Sequence, residues 1–273
     1  MSGMHAPRIV LSAAVALAIA ASADAQFGFS GLFNPRTARP EDFDGLFHYC
    51  RVVYAGAADG DGGSWRTDYP RADINLSVRL SELTKTRVSR TSSGDPTPLL
   101  VRLRDEALFK CPLVILSAPG AAFIEETDAA RLREYLLKGG MLWADDFWGS
   151  YQWEHWVTQL RKALPADQHA IVDLPLEHAV FRTQFEVREV PQIPNIGFFL
   201  RSGGGTSERG ADSAVPHMRA VLDSRDRIMV LMTHNTDIAD AWEREGEDPT
   251  YFYTFSPRGY AVGINIVLYA MTH

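Results

Sequence analysis

Asp145 and Asp146 follow the apolar run Met141-Leu142-Trp143-Ala144, and paired acids at a strand end are where chemistry could first sit in this chain. Two carboxylates so close repel, so they need a metal ion, hydrogen bonds or a shared proton. One reading makes Asp145 or Asp146 a base or a metal ligand. The other has one acid capping the next helix while its neighbour faces water. His178, on the turn Leu174-Pro175-Leu176-Glu177-His178, could pair with an aspartate as an acid/base group. The candidate catalytic set is therefore Asp145, Asp146 and His178. A divalent metal held also by His234 is one possible extension, and the identity of any metal or other cofactor stays open.

In a parallel α/β sheet, ligands gather on loops beyond the carboxyl ends of the strands. Trp65, Gly120, Trp148, His234 and Asn235 lie on segments of that kind and are the candidate ligand-binding residues. Trp65, Trp143, Phe147, Trp148 and Trp153 could form an aromatic rim suited to sugars or interfaces, although their helical spacing makes some of them core. Asp59-Gly60-Asp61-Gly62-Gly63 resembles a calcium loop, but position twelve is Pro70 where a bidentate glutamate is needed. Flexible glycines beside a site, as in a lid, are the better reading. No Gly-x-Ser-x-Gly elbow occurs.

The elements around these residues read as α/β. Phe47–Tyr54 is rich in aromatic and β-branched residues and predicts a strand. Spacing predicts a helix over 71–84, a short strand over 86–90 and a short helix ending near Phe109. Pro112–Ser117 and Met141–Ala144 are continuous apolar runs, as expected of strands buried on both faces. Between them, Glu125 and Glu126 favour a helix start, Leu132, Tyr135 and Leu136 form its stripe, and Gly139-Gly140 stops it. Strand, helix and strand make a crossover that sets the two strands parallel. A helix over 151–163, strands over 218–222 and 228–233 joined by a polar turn, and a closing helix over 260–271 follow. Residues 201–216 read as a flexible surface loop.

At the amino terminus, Ile9–Ala21 is apolar and Ala23-Asp24-Ala25 suits a signal peptidase, so residues 1–25 are expected to be a signal peptide. Residues 26–44 read as an irregular arm and 45–273 as a single α/β domain. The expected location is periplasmic or secreted, with no membrane span in the mature chain. A net charge of −7 argues against nucleic acid. An unidentified small molecule or an envelope protein is the expected partner. Cys50 and Cys111 could pair in an oxidising compartment, but two separate buried thiols is the favoured reading.

The order of Trp65…Tyr69-Pro70, Pro112-Leu-Val-Ile-Leu, Gly139-Gly-Met-Leu-Trp-Ala-Asp-Asp, Leu174-Pro-Leu-Glu-His and Gly263-Ile-Asn-Ile-Val-Leu-Tyr-Ala resembles domain of unknown function family 4159. That resemblance implies a class I glutamine amidotransferase-like, flavodoxin-like three-layer sandwich with a mostly parallel central sheet, close to trehalose-utilisation-like proteins, with an added β-hairpin near the C-terminus. It places Asp145 and Asp146 on the sharp turn and matches His178 to a later histidine, with Ala179 where proline would stand. A glutamine amidotransferase needs a thiolate at that turn. Aspartate stands there, so the expected function is a non-glutaminase ligand- or partner-binding module, and the alternative is a hydrolase using Asp145, Asp146 and His178.

Overall fold

The computed structural model describes residues 36–273. The predicted signal peptide and most of the predicted arm lie outside them. Among the described residues a seven-stranded sheet runs through the centre. Its strands are β1 (Cys50–Val52), β3 (Leu99–Val101), β4 (Leu113–Ser117), β6 (Met141–Phe147), β7 (Ile171–Asp173), β8 (His217–Leu222) and β9 (Ile228–His234), in the order β3-β1-β4-β6-β9-β8-β7. The first five strands of that order are parallel, and β8 is antiparallel to both its neighbours. A small second sheet pairs β2 (Ala55–Gly56) with β5 (Ala122–Phe123).

Side chains on successive strand residues point to opposite faces, and here both faces are covered. Tyr49, Ile115, Trp143 and Leu231 enter one core with α1 (Arg71–Leu83) and α6 (Pro249–Thr272). Cys50, Val114, Leu142 and Val230 enter the other with α2 (Glu126–Leu137) and α3 (Gly149–Ala163). Two short helices, α4 (Ile196–Ser202) and α5 (Asp240–Glu243), sit within the long connections. The mixed α/β, mostly parallel expectation therefore holds, and double coverage explains why β4 and β6 read as unbroken apolar runs. No helix among the described residues is long and apolar enough to cross a membrane.

Some elements differ from expectation. Residues 86–90 form only isolated bridges. The second parallel strand along the chain is β3, which the preceding Pro96 and Pro98 disguise as a break. The closing helix starts eleven residues early, at Pro249. Pro257 inside it looks like a stop in the sequence, but the Asp248 carboxylate caps the true start by accepting from Tyr251 N at 2.7 Å.

The cysteines are also corrected, since Cys50 and Cys111 form a disulfide with Cα atoms 6.3 Å apart. Parallel β1 and β4 lie side by side with Cys50 opposite Val114, which brings Cys111 within bridging reach. Strand adjacency decides the pairing, and spacing along the chain does not carry it.

Candidate functional site

Every central parallel strand after β1 ends in an unusual backbone. Ala118 after β4 (φ 51°), Asp146 within the end of β6 (φ 63°) and Asn235 after β9 (φ 61°) are left-handed, as is Asp68 (φ 64°) in the loop after β2. That conformation costs a residue bearing a Cβ about 1–2 kcal/mol, and aspartate and asparagine bear it best. Strain of this kind gathers where a fold must aim particular groups.

Arg51, in the middle of β1, organises one side of this end of the sheet. Its guanidinium is fully buried. Nε donates to both oxygens of Asp73 at 3.0 Å, Nη2 also donates to Asp73, and Nη1 donates to Ser117 Oγ at 2.6 Å. Nη1 further donates to the carbonyls of Trp65 (3.2 Å) and Thr67 (2.9 Å). Burial opposes the charge, but Asp73 outweighs it and holds the guanidinium protonated. Asp73 sits in the first turn of α1, where the helix dipole favours a carboxylate. Arg51 therefore fixes residues 65–67, and the next residue is the left-handed Asp68.

The other side is organised by Asp145. Its carboxylate is buried and accepts from the Thr233 hydroxyl, from Ile238 N at 3.3 Å and from Ala239 N at 3.0 Å. Burial pushes it up to about 6, against those hydrogen bonds. Asp145 is thus a staple that ties β6 to the segment after β9. That segment carries Asp237 and Asp240. Asp237 Oδ1 caps the following turn by accepting from Asp240 N at 3.0 Å, and Asp240 Oδ2 accepts from Ile196 N at 3.2 Å.

One carboxylate oxygen each from Asp68, Asp237 and Asp240 lies within 4.8 Å of the other two. Asp240 is 1% exposed. Among the described residues Asp240 Oδ1 and Asp68 Oδ2 have no hydrogen-bond partner. Asp146 adds a fourth carboxylate nearby, with Oδ1 accepting from Trp148 Nε1 at 3.1 Å. Burial first, then the neighbouring acids, pushes Asp146, Asp237 and Asp240 well above the usual carboxylate range. Burial likewise pushes Asp68 up to about 7, although Arg51 pulls the other way. So many close acids cannot all ionise together without a cation; otherwise some of them keep their protons. All the donors are hard oxygens, the set suited to magnesium, manganese or calcium.

Of the sequence candidates, Asp145 and Asp146 lie here, and Trp65 and Trp148 are joined to the site through Arg51 and Asp146. His178 is not brought to it. Its ring packs on Tyr269 at 5.6 Å, and Tyr269 Oη accepts from Ile228 N, at the amino end of β9. Asp145 meets Thr233, five residues further along β9, or about 17 Å away at 3.3 Å per residue. The proposed Asp–His pair is thereby corrected: the connection after α3 carries His178 to the other end of the sheet.

His234 and Asn235 act as structural ties. His234 Nε2 donates to Gly149 O at 3.0 Å, and Nδ1 accepts from Arg219 Nη1 at 3.2 Å, so neither nitrogen is left for a metal. Asn235 Oδ1 accepts from Gly149 N, and its Nδ2 donates to Val215 O, both at 2.8 Å. Trp143 and Phe147 are core residues, which removes them from the supposed aromatic rim.

Nor does the Gly/Asp loop behave as a lid. A Cβ on Gly120 would come within 2.7 Å of Asp61 O and of the Gln152 side chain. The Asp61 carboxylate accepts from Gln152 Nε2 (3.1 Å) and Arg209 Nη2 (2.7 Å). Close packing pins the loop.

Burial holds His234 down to about 4 from an ordinary 6.5, helped by Arg219 and His217. The unfolded chain therefore takes up this proton first, and the ring lowers stability as pH falls from 6.5 to 4, by about 3 kcal/mol in total. Denaturation from pH 7 to pH 4 should show His234→Gln losing less stability than the wild-type chain. Parallel losses in the two proteins would contradict a neutral buried ring.

Arg51, Asp68, Asp73, Asp237 and Asp240 were missed in the sequence. Two signals could have found them: a lone charge inside an aromatic, β-branched strand, and Asp-Ile-Ala-Asp straight after one.

No curated protein matches the chain. A family profile described as Domain of unknown function (DUF4159) matches residues 48–271, most of the chain, and the chain belongs to that family.

Proposed function

We propose that this protein is an exported, non-glutaminase binding module that takes a positively charged ligand at the acid cluster beyond the carboxyl ends of β6 and β9. One observation carries the reading. Asp68, Asp237 and Asp240 converge, two of them buried, and Asp146 interacts with them electrostatically, while Arg51 is already committed to Asp73. Carboxylates crowded together like this either keep protons or take a counter-cation, and a positively charged ligand would displace those protons on binding.

The order β3-β1-β4-β6-β9 reads 2-1-3-4-5 when these parallel strands are counted alone. That order supports a flavodoxin-like, class I glutamine amidotransferase-like sandwich, similar to trehalose-utilisation-like proteins, with antiparallel β8 and β7 added at its edge and β8 in a hairpin with the core strand β9. In such sheets ligands sit outside the carboxyl ends of the strands. The Cys50–Cys111 bond supports export through a leader at residues 1–25, because disulfides persist in oxidising compartments. It also occupies both thiols, which counts against a glutaminase nucleophile. A hydrolase built on Asp145 or Asp146 with His178 lacks its imidazole at this site.

The test is thermal denaturation of the purified chain with spermidine, divalent chlorides or citrate, beside an ammonia assay with glutamine. The midpoint should rise with at least one cation and not with citrate, with no ammonia released. Ammonia release, or a midpoint indifferent to every cation, overturns the proposal.

A further inference from the structure

We infer that Asp68, Asp237 and Asp240 form a binding site for one hard divalent cation of the magnesium, manganese or calcium class. This rests on the reading of the acid cluster as cation-binding and narrows it to a metal. The acids alone would not carry it. The second observation is the orphaned oxygen of Asp240, a side chain that is 1% exposed and has only its Oδ2 bonded, to Ile196 N at 3.2 Å. A buried carboxylate oxygen without a donor costs about 1–3 kcal/mol or more, and Asp68 Oδ2 on the opposing loop is a second such oxygen, on a partly exposed residue.

The three oxygens all lie within 4.8 Å of one another, close enough for a single ion with ligands at about 2.0–2.6 Å to reach all three. No histidine or cysteine belongs to the cluster, so the donors suit hard ions over zinc or copper. The three ligands come from two segments: the turn anchored by Arg51, and the post-β9 segment stapled by Asp145. An ion there would cross-link the loop before α1 to the start of α5. Asp146, held by Trp148, flanks the cluster, where it can orient water or a ligand on the ion's open face.

The experiment is calorimetric titration of the EDTA-treated, dialysed chain with manganese chloride, calcium chloride and, separately, spermidine. One metal ion should bind per chain. Asp240→Asn and Asp68→Asn should each weaken binding at least tenfold, while Asp173→Asn on the edge strand should leave it unchanged. Should Asp240→Asn fail to fold by circular dichroism, Asp68→Asn, on a loop, decides. Spermidine binding without metal binding overturns the metal site and leaves the cation-binding reading of the acid cluster standing. If neither binds, both readings fall. Metal binding of equal strength in wild type, Asp68→Asn and Asp240→Asn places the ion elsewhere and also overturns the inference.

Discussion

Replacing Arg51 with methionine is expected to destabilise the protein by about 3–5 kcal/mol, the range for removing one partner of a buried ion pair. The loss has two sources. Asp73, fully buried, keeps a carboxylate with its guanidinium partner gone, and Ser117 Oγ and the carbonyls of Trp65 and Thr67 lose their shared donor. Pairing Arg51→Met with Asp73→Leu should restore much of the loss, because an apolar pair of similar volume avoids the uncompensated charge. Urea denaturation of the wild type, both single variants and the double variant gives the coupling, expected to exceed about 1 kcal/mol. A near-neutral Arg51→Met, or strictly additive effects, would contradict the role given to this pair. Since Arg51 also fixes residues 65–67, the single variant should disturb Asp68 and weaken cation binding at the same time.

The second large effect is expected at the disulfide. Cys50 and Cys111 are 61 residues apart, and closing a loop of that length in the unfolded chain is worth about 4 kcal/mol on the chain-entropy account. Both sulfurs are buried in the core that faces α2 and α3, so removing the bond without repacking adds no compensating contact. A Cys50→Ala/Cys111→Ala double variant, or the wild type under strong reductant, should unfold at correspondingly lower urea. Identical curves with and without reductant, once thiol counting shows the bond broken, would show that the cross-link contributes nothing.

How far the sequence carried the structure depended on which forces act locally. β4, α2 and β6 were legible because burial on both sheet faces leaves an unbroken apolar run, and Gly139-Gly140 marks the stop between them. β3 was not, because three residues between breakers gain their strand character from pairing with β1. The same distinction governs the site. Asp145 and Asp146 could be picked out because adjacent acids at a strand end are locally anomalous. Their separate roles were not legible: Asp145 spends its lone pairs on Thr233, Ile238 and Ala239, partners some ninety residues away.

His178 looked like a partner because it follows the acids by about thirty positions on a matching turn. The route through α3 and the edge strand β7 sets it against Tyr269 instead. Asp237 and Asp240 carry no local anomaly, since Asp237 simply caps the turn that contains Asp240. Only the arrival of Asp68 from the loop after β2 makes them a cluster, and that convergence is tertiary.

The most direct measurement is anomalous diffraction near the manganese edge from crystals grown with manganese chloride. A strong peak within bonding distance of carboxylate oxygens from Asp68, Asp237 and Asp240 is the expected result. Density free of any such peak among these three acids, or a peak only at the opposite end of the sheet beside His178, would contradict it.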